Sequence, residues 1–366
     1  MYDIVYVFKN NRLESFLNKT IQAKDMYYGL PFYSNFCNVK VIEFENTDSN
    51  KFLTKLDRVF SKLLSLPIYF SKIISSKNFK ILNDTKNIIL VNESVACSLV
   101  PILIFLKVFN KKNVILIVMG LYSKNVNYKI FKIFHILFIK LLEICVSQIL
   151  FLGKGEYQKA KLFHKSSKKL SYFPFSIDTE FWTRDDQKED IDNKHIIFVG
   201  NDSNRDFEKV KLISQKLPEF NFKIISNNKI FNNFHSKNVE VIKGEWGKNY
   251  LEDDELRNLY KNSKLSIIPL FEGTQPSGQS VALQSMSMGV PVLISKTKGF
   301  WDLEVFKHIE NIYFVTESSV EEWVNAIKYC LENYEHTLKM SSNAKTLVKN
   351  EYNLNVFYSN LSKYIN

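Results

Sequence analysis

Between two apolar segments of this 366-residue chain lies a run of small and polar residues, Pro269 to Pro291 (PLFEGTQPSGQSVALQSMSMGVP), whose types and spacing could do chemistry. The apolar run before it reads as a buried strand ending at Leu270. Gln279 to Met288 reads as a helix stopped by Gly289, with Pro291 two residues later. Gly278 lets a ligand come close to the backbone, and the amides of Gln279, Ser280 and Val281 stand unpaired at the helix start. Such a terminus attracts an anion through its N–H groups and the helix dipole. It also follows a strand, at the edge where open α/β sheets bind ligands. This predicts a cradle for a phosphate or diphosphate. The alternative is that Pro276-Ser277-Gly278 only caps a helix, and the loop alone leaves both open.

A second strand ending in glycine, His195–Gly200 (HIIFVG), is followed by the polar loop Asn201-Asp202-Ser203-Asn204-Arg205-Asp206 and a helix from Phe207. The Arg205 guanidinium is placed to clamp phosphate oxygens bidentately. Taken alone, it leans towards a surface ion pair with Asp202 or Glu208, worth about 0–1 kcal/mol. The six histidines form no HExxH or triad pattern, and His135 in FKIFHILFIK reads as packed or interfacial. No DxD-type motif stands in a suitable loop, so no metal is predicted. The four cysteines (Cys37, Cys97, Cys145, Cys330) lack metal-ligand spacing and read as reduced core residues.

The elements that must hold these loops repeat a strand–helix rhythm. Strands are expected at Tyr2–Phe8, Val39–Phe44, Asn87–Val91, Val114–Val118, Gln148–Leu152 and Leu170–Phe173. After the charged stretch 183–194, which reads as an exposed linker, they resume at His195–Gly200, Phe222–Ser226, Val239–Ile242, Leu265–Leu270, Val290–Ser295 and Ile312–Val315. Helices fall between, as in parallel βαβ units. The expected fold is α/β, with two tandem Rossmann-like, doubly wound domains over 1–182 and 183–350, and a C-terminal helix at 351–366 crossing back to the first. At 45% hydrophobic and 14% aromatic, the chain is neither disordered nor fibrous. No apolar run reaches the roughly 18 residues of a spanning helix. The longest, Ser94–Leu106, suits a buried strand or helix.

Four stretches, in order, resemble the family 4 retaining glycosyltransferases of the GT-B fold: FPFSIDTEFW (Phe173–Trp182), HIIFVGNDSNRDF, NVEVIKGEWGKNYLEDDELRNLYKNSKLSIIPL (Asn238–Leu270) and QPSGQSVALQSMSMGVPVLISKTKGFWD (Gln275–Asp302). The resemblance covers residues 173–350 well and the first half by architecture only. It implies two domains facing across a cleft. It also implies a nucleotide-diphosphate sugar as donor substrate, no cofactor, and a glycan or lipid-linked glycan acceptor in surface-polysaccharide or lipopolysaccharide synthesis. By the resemblance, Gly278, Gln279, Ser280 and Val281 meet the diphosphate, and Gly200 is the glycine that lets the donor approach. Arg205 matches one member of the basic pair that neutralises the leaving diphosphate, with Lys209 one turn on as a second. Gln284 stands at the family's ribose-binding glutamate, as an amide that can still bond a diol. The family's other glutamate falls on Pro276, and Glu272 or Gln275 nearby would serve instead. Asn201 replaces the usual arginine after the strand-end glycine. Gly120 occupies a position where the family often shows a histidine, so no catalytic base is carried over.

Charge is unevenly placed. The net +11 arises from 26 Lys and Arg against 13 Asp and Glu in residues 1–182, and 23 against 25 in the remainder. Phe60–Ser75 and Lys129–Leu142 mix Lys with Phe, Ile and Leu at helical spacing. This predicts basic amphipathic helices at an anionic membrane surface, with ordinary Rossmann helices as the alternative. No RNP, zinc or helix-turn-helix signature accompanies the charge, so nucleic acid is not an expected partner. With no secretory signal at the N-terminus, the expected location is cytoplasmic, peripheral at the inner face of the plasma membrane. Two other functions compete. One is a catalytically silent GT-B scaffold or glycan-binding protein. The other is a dinucleotide oxidoreductase built on Gly153-Lys154-Gly155, where Gln158 stands in place of the third glycine.

Overall fold

The computed structural model describes residues 2–9, 11–18, 22–45, 51–124, 126, 128–165, 167–184, 194–244, 251–317 and 319–365. Most of the expected linker (185–193) and part of the third resembling stretch (245–250) lie outside the described residues. The chain forms two compact units that interleave in sequence. Met1–Asn18, Tyr27–Pro174 and Tyr358–Asn366 make the first, and Lys19–Met26 with Phe175–Phe357 the second.

The first unit is built on β1 (Tyr2–Val7), β2 (Val39–Ile42), β3 (Thr85–Val91), β4 (Asn113–Val118), β5 (Gln148–Phe151) and β6 (Leu170–Tyr172), in the order β2-β1-β3-β4-β5-β6. Every pairing is parallel; Val5 faces Lys40 on one side and Ile88 on the other. Ile88–Val91 and Val114–Val118 are buried without polar alternation, as strands covered on both faces require. The apolar run at Ser94–Leu106 is most of the helix Glu93–Phe109. The chain's last residues are fastened here: Tyr33 donates its hydroxyl to Tyr358 O (3.2 Å) and Asn113 its amide to Tyr364 O (2.7 Å).

The stretch Phe60–Ser75 is not the single amphipathic helix its spacing suggested. The helix Lys51–Leu64 ends, Ser65 turns with φ 52°, and only a short helix, Phe70–Ile73, follows. Leu64, Leu66, Ile68, Phe70 and Ile73 are core residues of the first unit, so this apolar surface is spent internally. His135 packs against the same region, its Nδ1 2.6 Å from Leu64 O, and burial lowers its pKa.

The second unit carries β7 (His195–Val199), β8 (Phe222–Ile225), β9 (Val239–Ile242), β10 (Ser263–Ile268), β11 (Val292–Ser295) and β12 (Tyr313–Val315), in the order β12-β11-β10-β7-β8-β9. All pairings are again parallel. Strand succession reverses between β7 and β10, which creates the crevice where doubly wound sheets bind ligands. The core gathers Ile196, Phe198, Val210, Leu265, Ile267 and Trp323. Among the described residues, no helix is long and apolar enough to cross a membrane.

Candidate active site

The two loops that flank the reversal are bonded to each other. Asp206 N donates to Pro269 O (3.1 Å), Phe271 N to Asn204 O (2.9 Å), and the Asn204 amide to Ser277 Oγ (2.8 Å). Arg205 therefore cannot swing with a free loop. Its side chain is held against two glycines. A Cβ added at Gly200 would come within 2.6 Å of its Nε, and one at Gly278 within 2.8 Å of its Nη1. Gly278, at φ 78°, is the residue from which the helix Gln279–Ser287 starts, and no side chain caps that start. Gly289 (φ 69°) ends the same helix, with Val290 N donating to Ser285 O (2.8 Å).

Arg205 is 3% exposed. Its Nε lies 2.9 Å from Asp202 Oδ2, so the ion pair anticipated as the alternative exists. That contact does not satisfy the guanidinium, because Nε and Nη1 are both buried and neither has a hydrogen-bond partner among the described residues. An unpartnered buried donor on a cation is costly. Here it stands at the positive end of a helix, so a diphosphate would satisfy both at once.

A cavity of about 300 Å³ opens at this point, lined by Gly200, Arg205, Ser280, Val281, Gln284 and Asp25, among others. A wider open groove of about 1100 Å³ runs beyond β8 and β9 but includes neither Arg205 nor the Gln279 helix. Of the two, the smaller cavity is the one that brings Arg205, Ser280, Val281 and Gln284 together.

Not every expected site residue reaches it. Lys209 is buried and ion-paired with Asp206 (2.7 Å), away from the cavity lining. Asp206 Oδ1 also accepts from Lys209 N (3.0 Å), so the helix from Phe207 is capped by its own residue and offers no second anion site. Glu272 is exposed and accepts from Gly273 N and Lys298 N; Gln275 is half-buried; neither lines the cavity, and neither do Gly278 and Gln279, although the helix begins with them.

Asp25 is the residue that sequence reasoning missed. It lies in the segment 22–26, which is bonded into the second unit. Asp253 Oδ2 accepts from Gln22 N and Ala23 N (both 2.9 Å), and Asp178 Oδ2 from Lys24 N (3.2 Å). Asp25 Oδ1 accepts from Asp178 N (2.5 Å), and Oδ2 from Trp182 Nε1 (2.7 Å) and Gln284 Nε2 (2.9 Å). Burial outweighs these donors and pushes its pKa up to about 7. Burial likewise raises Asp253. Nothing in the local sequence IQAKDMYYG marks Asp25. Trp182 closes the resembling stretch Phe173–Trp182, and Ser287 anchors it by donating to Trp182 O (2.5 Å).

The oxidoreductase alternative finds no support in this geometry. Gly153 follows β5, not the reversal beside β1 and β3. Glu156, in the first turn of that helix, is buried, accepts from Tyr122 N (2.9 Å) and is pushed up to about 8 by burial. A carboxyl group thus sits where a pyrophosphate would have to go.

Solved structures with this architecture include Anabaena HepE in complex with UDP and glucose, at 12% identity, 99% of each chain and TM-score 0.66. Sucrose-phosphate synthase from Thermosynechococcus elongatus matches at 11% identity, over 99% of this chain and 98% of that one, with TM-score 0.71. A glycosyltransferase from Rickettsia africae matches at 13% identity, over 99% and 97%, with TM-score 0.63. At such identities the likeness is one of fold, and it is GT-B-like. No curated protein matches the chain. The family described as glycosyl transferases group 1 matches residues 185–347, the part that carries Arg205, Gly278 and Gln284. The chain therefore carries a glycosyltransferase domain of group 1 on a GT-B-like pair of Rossmann-like units.

Proposed function

We propose that the protein moves a sugar from a nucleoside-diphosphate sugar to a glycan or lipid-linked acceptor, with retention, in building a cell-surface polysaccharide. The observation that carries this is the buried Nη1 of Arg205, which has no hydrogen-bond partner among the described residues, beside the helix start at Gly278. In this reading the anomeric carbon–oxygen bond breaks as the diphosphate leaves. Ser280, Val281 and the guanidinium meet its developing charge, and the acceptor's proton passes to the departing oxygen on the same face. This reading relies on electrostatic stabilisation of the leaving group rather than on a protein base, and it keeps the sequence expectation of no metal. UDP in the neighbouring Anabaena structures makes a uridine donor the first to try. Release of UDP from donor sugar on addition of acceptor, with the product's anomeric configuration read by NMR, tests the reading.

The catalytically silent scaffold is favoured by one observation: Pro276 replaces a glutamate, and neither Glu272 nor Gln275 lines the cavity in its stead. Donor binding without any turnover would decide for it.

The acceptor side of the proposal rests on the first unit. Helix Lys129–Cys145 buries His135, Ile139 and Leu142 but exposes Ile130, Ile133, Phe134, Leu137, Leu141 and Ile144 on one stripe. The adjoining helix Glu93–Phe109 adds exposed Phe105, Val108 and Phe109. Exposed Lys129, Lys132 and Lys140 accompany the stripe, and its acidic member, Glu143, pairs with His164 (2.9 Å). An apolar stripe edged by lysines suits an anionic bilayer, the occupant this reading assigns, at the inner face of the plasma membrane. Each lysine near such a surface adds about 1 kcal/mol.

A further inference from the structure

We propose that Asp25 is a positioning residue for the donor: its carboxylate holds the Gln284 carboxamide with the amide nitrogen turned inward and the oxygen left to take a ribose hydroxyl. This rests on the reading of the cavity as the donor site.

The orientation follows from donor and acceptor chemistry. An ionised carboxylate only accepts, and Asp25 receives three donors: Asp178 N–H, Trp182 Nε1–H and Gln284 Nε2–H. Gln284 must therefore turn its NH2 towards Asp25. Among the described residues its Oε1 is met only by a long contact from Tyr260 OH (3.5 Å), which leaves a lone pair for a ligand. Both side chains line the cavity, and both are buried, at 3% and 7% exposure. The same contact explains why position 284 is an amide in a chain that otherwise resembles one with glutamate there. A glutamate would set two carboxylates 2.9 Å apart in a buried site, and one would have to take up a proton. An asparagine at 25 would not serve either, since it offers an acceptor to one side only and would oppose an N–H to Asp178 N or Trp182 Nε1.

The titratable and charged groups facing this pair are Asp178, Asp202, Arg205, Glu252, Asp253 and Tyr260. Burial brings Asp25 to titrate near neutrality, with its carboxyl about half ionised near pH 7 and largely ionised only well above it. The inward grip on Gln284 is therefore strongest on the alkaline side.

The test is calorimetric titration of the full-length protein with UDP and with 2′,3′-dideoxy-UDP, each at pH 6 and pH 8. The wild type should prefer UDP by about tenfold, the scale of one lost hydrogen bond to a buried partner, and should bind it more tightly at pH 8. Asp25→Asn should weaken UDP to the level of the dideoxy analogue and bind that analogue as the wild type does, with no pH dependence from this site. If Asp25→Asn keeps the wild-type preference, the proposal is overturned. Should that variant fail to fold, Gln284→Met, which leaves the Asp178 and Trp182 bonds intact, must abolish the preference, and its persistence overturns the proposal equally. A wild type that binds no nucleoside diphosphate at all would instead remove the donor reading beneath it.

Discussion

The guanidinium of Arg205 occupies the space that a side chain at Gly278 would need: a Cβ there would lie 2.8 Å from Nη1 and equally close to Ile268 Cγ2. The cation and the helix start are thus packed directly against one another, beside the cavity that Arg205, Ser280 and Val281 line.

Arg205→Ala should lower transfer at least about a hundredfold, on the scale of losing one preorganised donor to a developing anion. The melting temperature should change little, because the ion-pair partner of this side chain among the described residues is the half-exposed Asp202 carboxylate. Parallel loss of stability and activity, read by thermal melts beside donor turnover, would make Arg205 structural.

Gly200→Ala should weaken nucleoside-diphosphate binding about tenfold, by pushing Nε and Cγ of Arg205, which would lie 2.6 and 2.9 Å from the new Cβ. Gly278→Ala adds backbone strain at φ 78°, about 1 kcal/mol, and should also lower stability. Calorimetric affinities that match the wild type for both variants would remove the glycines from the site.

Asp25 gives stability a defined pH slope. Its folded pKa of about 7 lies above the ordinary value of 3.8, so its protonated form favours the fold. That contribution is complete below pH 3.8 and lost as pH rises through 7, at roughly 1.4 kcal/mol per pH unit between the two. Glu156, raised to about 8, slopes the same way, but it is shared by both proteins in a comparison of wild type with Asp25→Asn. Denaturant midpoints at pH 5 and pH 8 should show the wild type losing stability relative to the variant. A constant difference refutes this.

Thermal shifts with UDP, GDP, ADP and CMP should single out one nucleotide. At 100 times its dissociation constant, a ligand stabilises by about 2.7 kcal/mol. A panel in which none shifts the melt counts against the donor site.

Leu137→Glu with Leu141→Glu should release the protein from anionic vesicles at low salt and leave its melt near that of the wild type, since both residues are solvent-facing. Cosedimentation of the variant as complete as that of the wild type would remove the apolar stripe from membrane contact.

Much of this was legible in the sequence, for identifiable reasons. Central strands of a parallel sheet are apolar on both faces, and the edge strands β2 and β9 still carry Val on alternate positions and end on Ile, so β1 to β12 stood out to within two residues at their ends. The helix from Gln279 declared itself by Gly278 before it and Gly289 after it. What failed depends on which partner a side chain finds in the fold, near or far. Phe60–Ser75 mixes basic and apolar residues at helical spacing as Lys129–Cys145 does, but its chain turns at Ser65 and sets Leu64, Leu66, Ile68, Phe70 and Ile73 in the core, whereas the later helix keeps one apolar stripe exposed. Asp206 and Lys209 satisfy one another locally, which composition does not reveal. Asp25 is separated from Gln284 by 259 positions, a distance at which no spacing rule operates.

The threading of residues 22–26 into the second unit governs how this protein can be cut. A fragment begun at Phe175 would include Trp182, Gln284 and Asp253 yet leave the indole and the carboxamide without their common acceptor. A minimal nucleotide-binding piece therefore needs that short peptide supplied as well, by fusion or as a separate strand. On the ribosome, Asp25 emerges long before the residues that clasp it, so the second unit completes itself only when the chain's earliest and later portions meet.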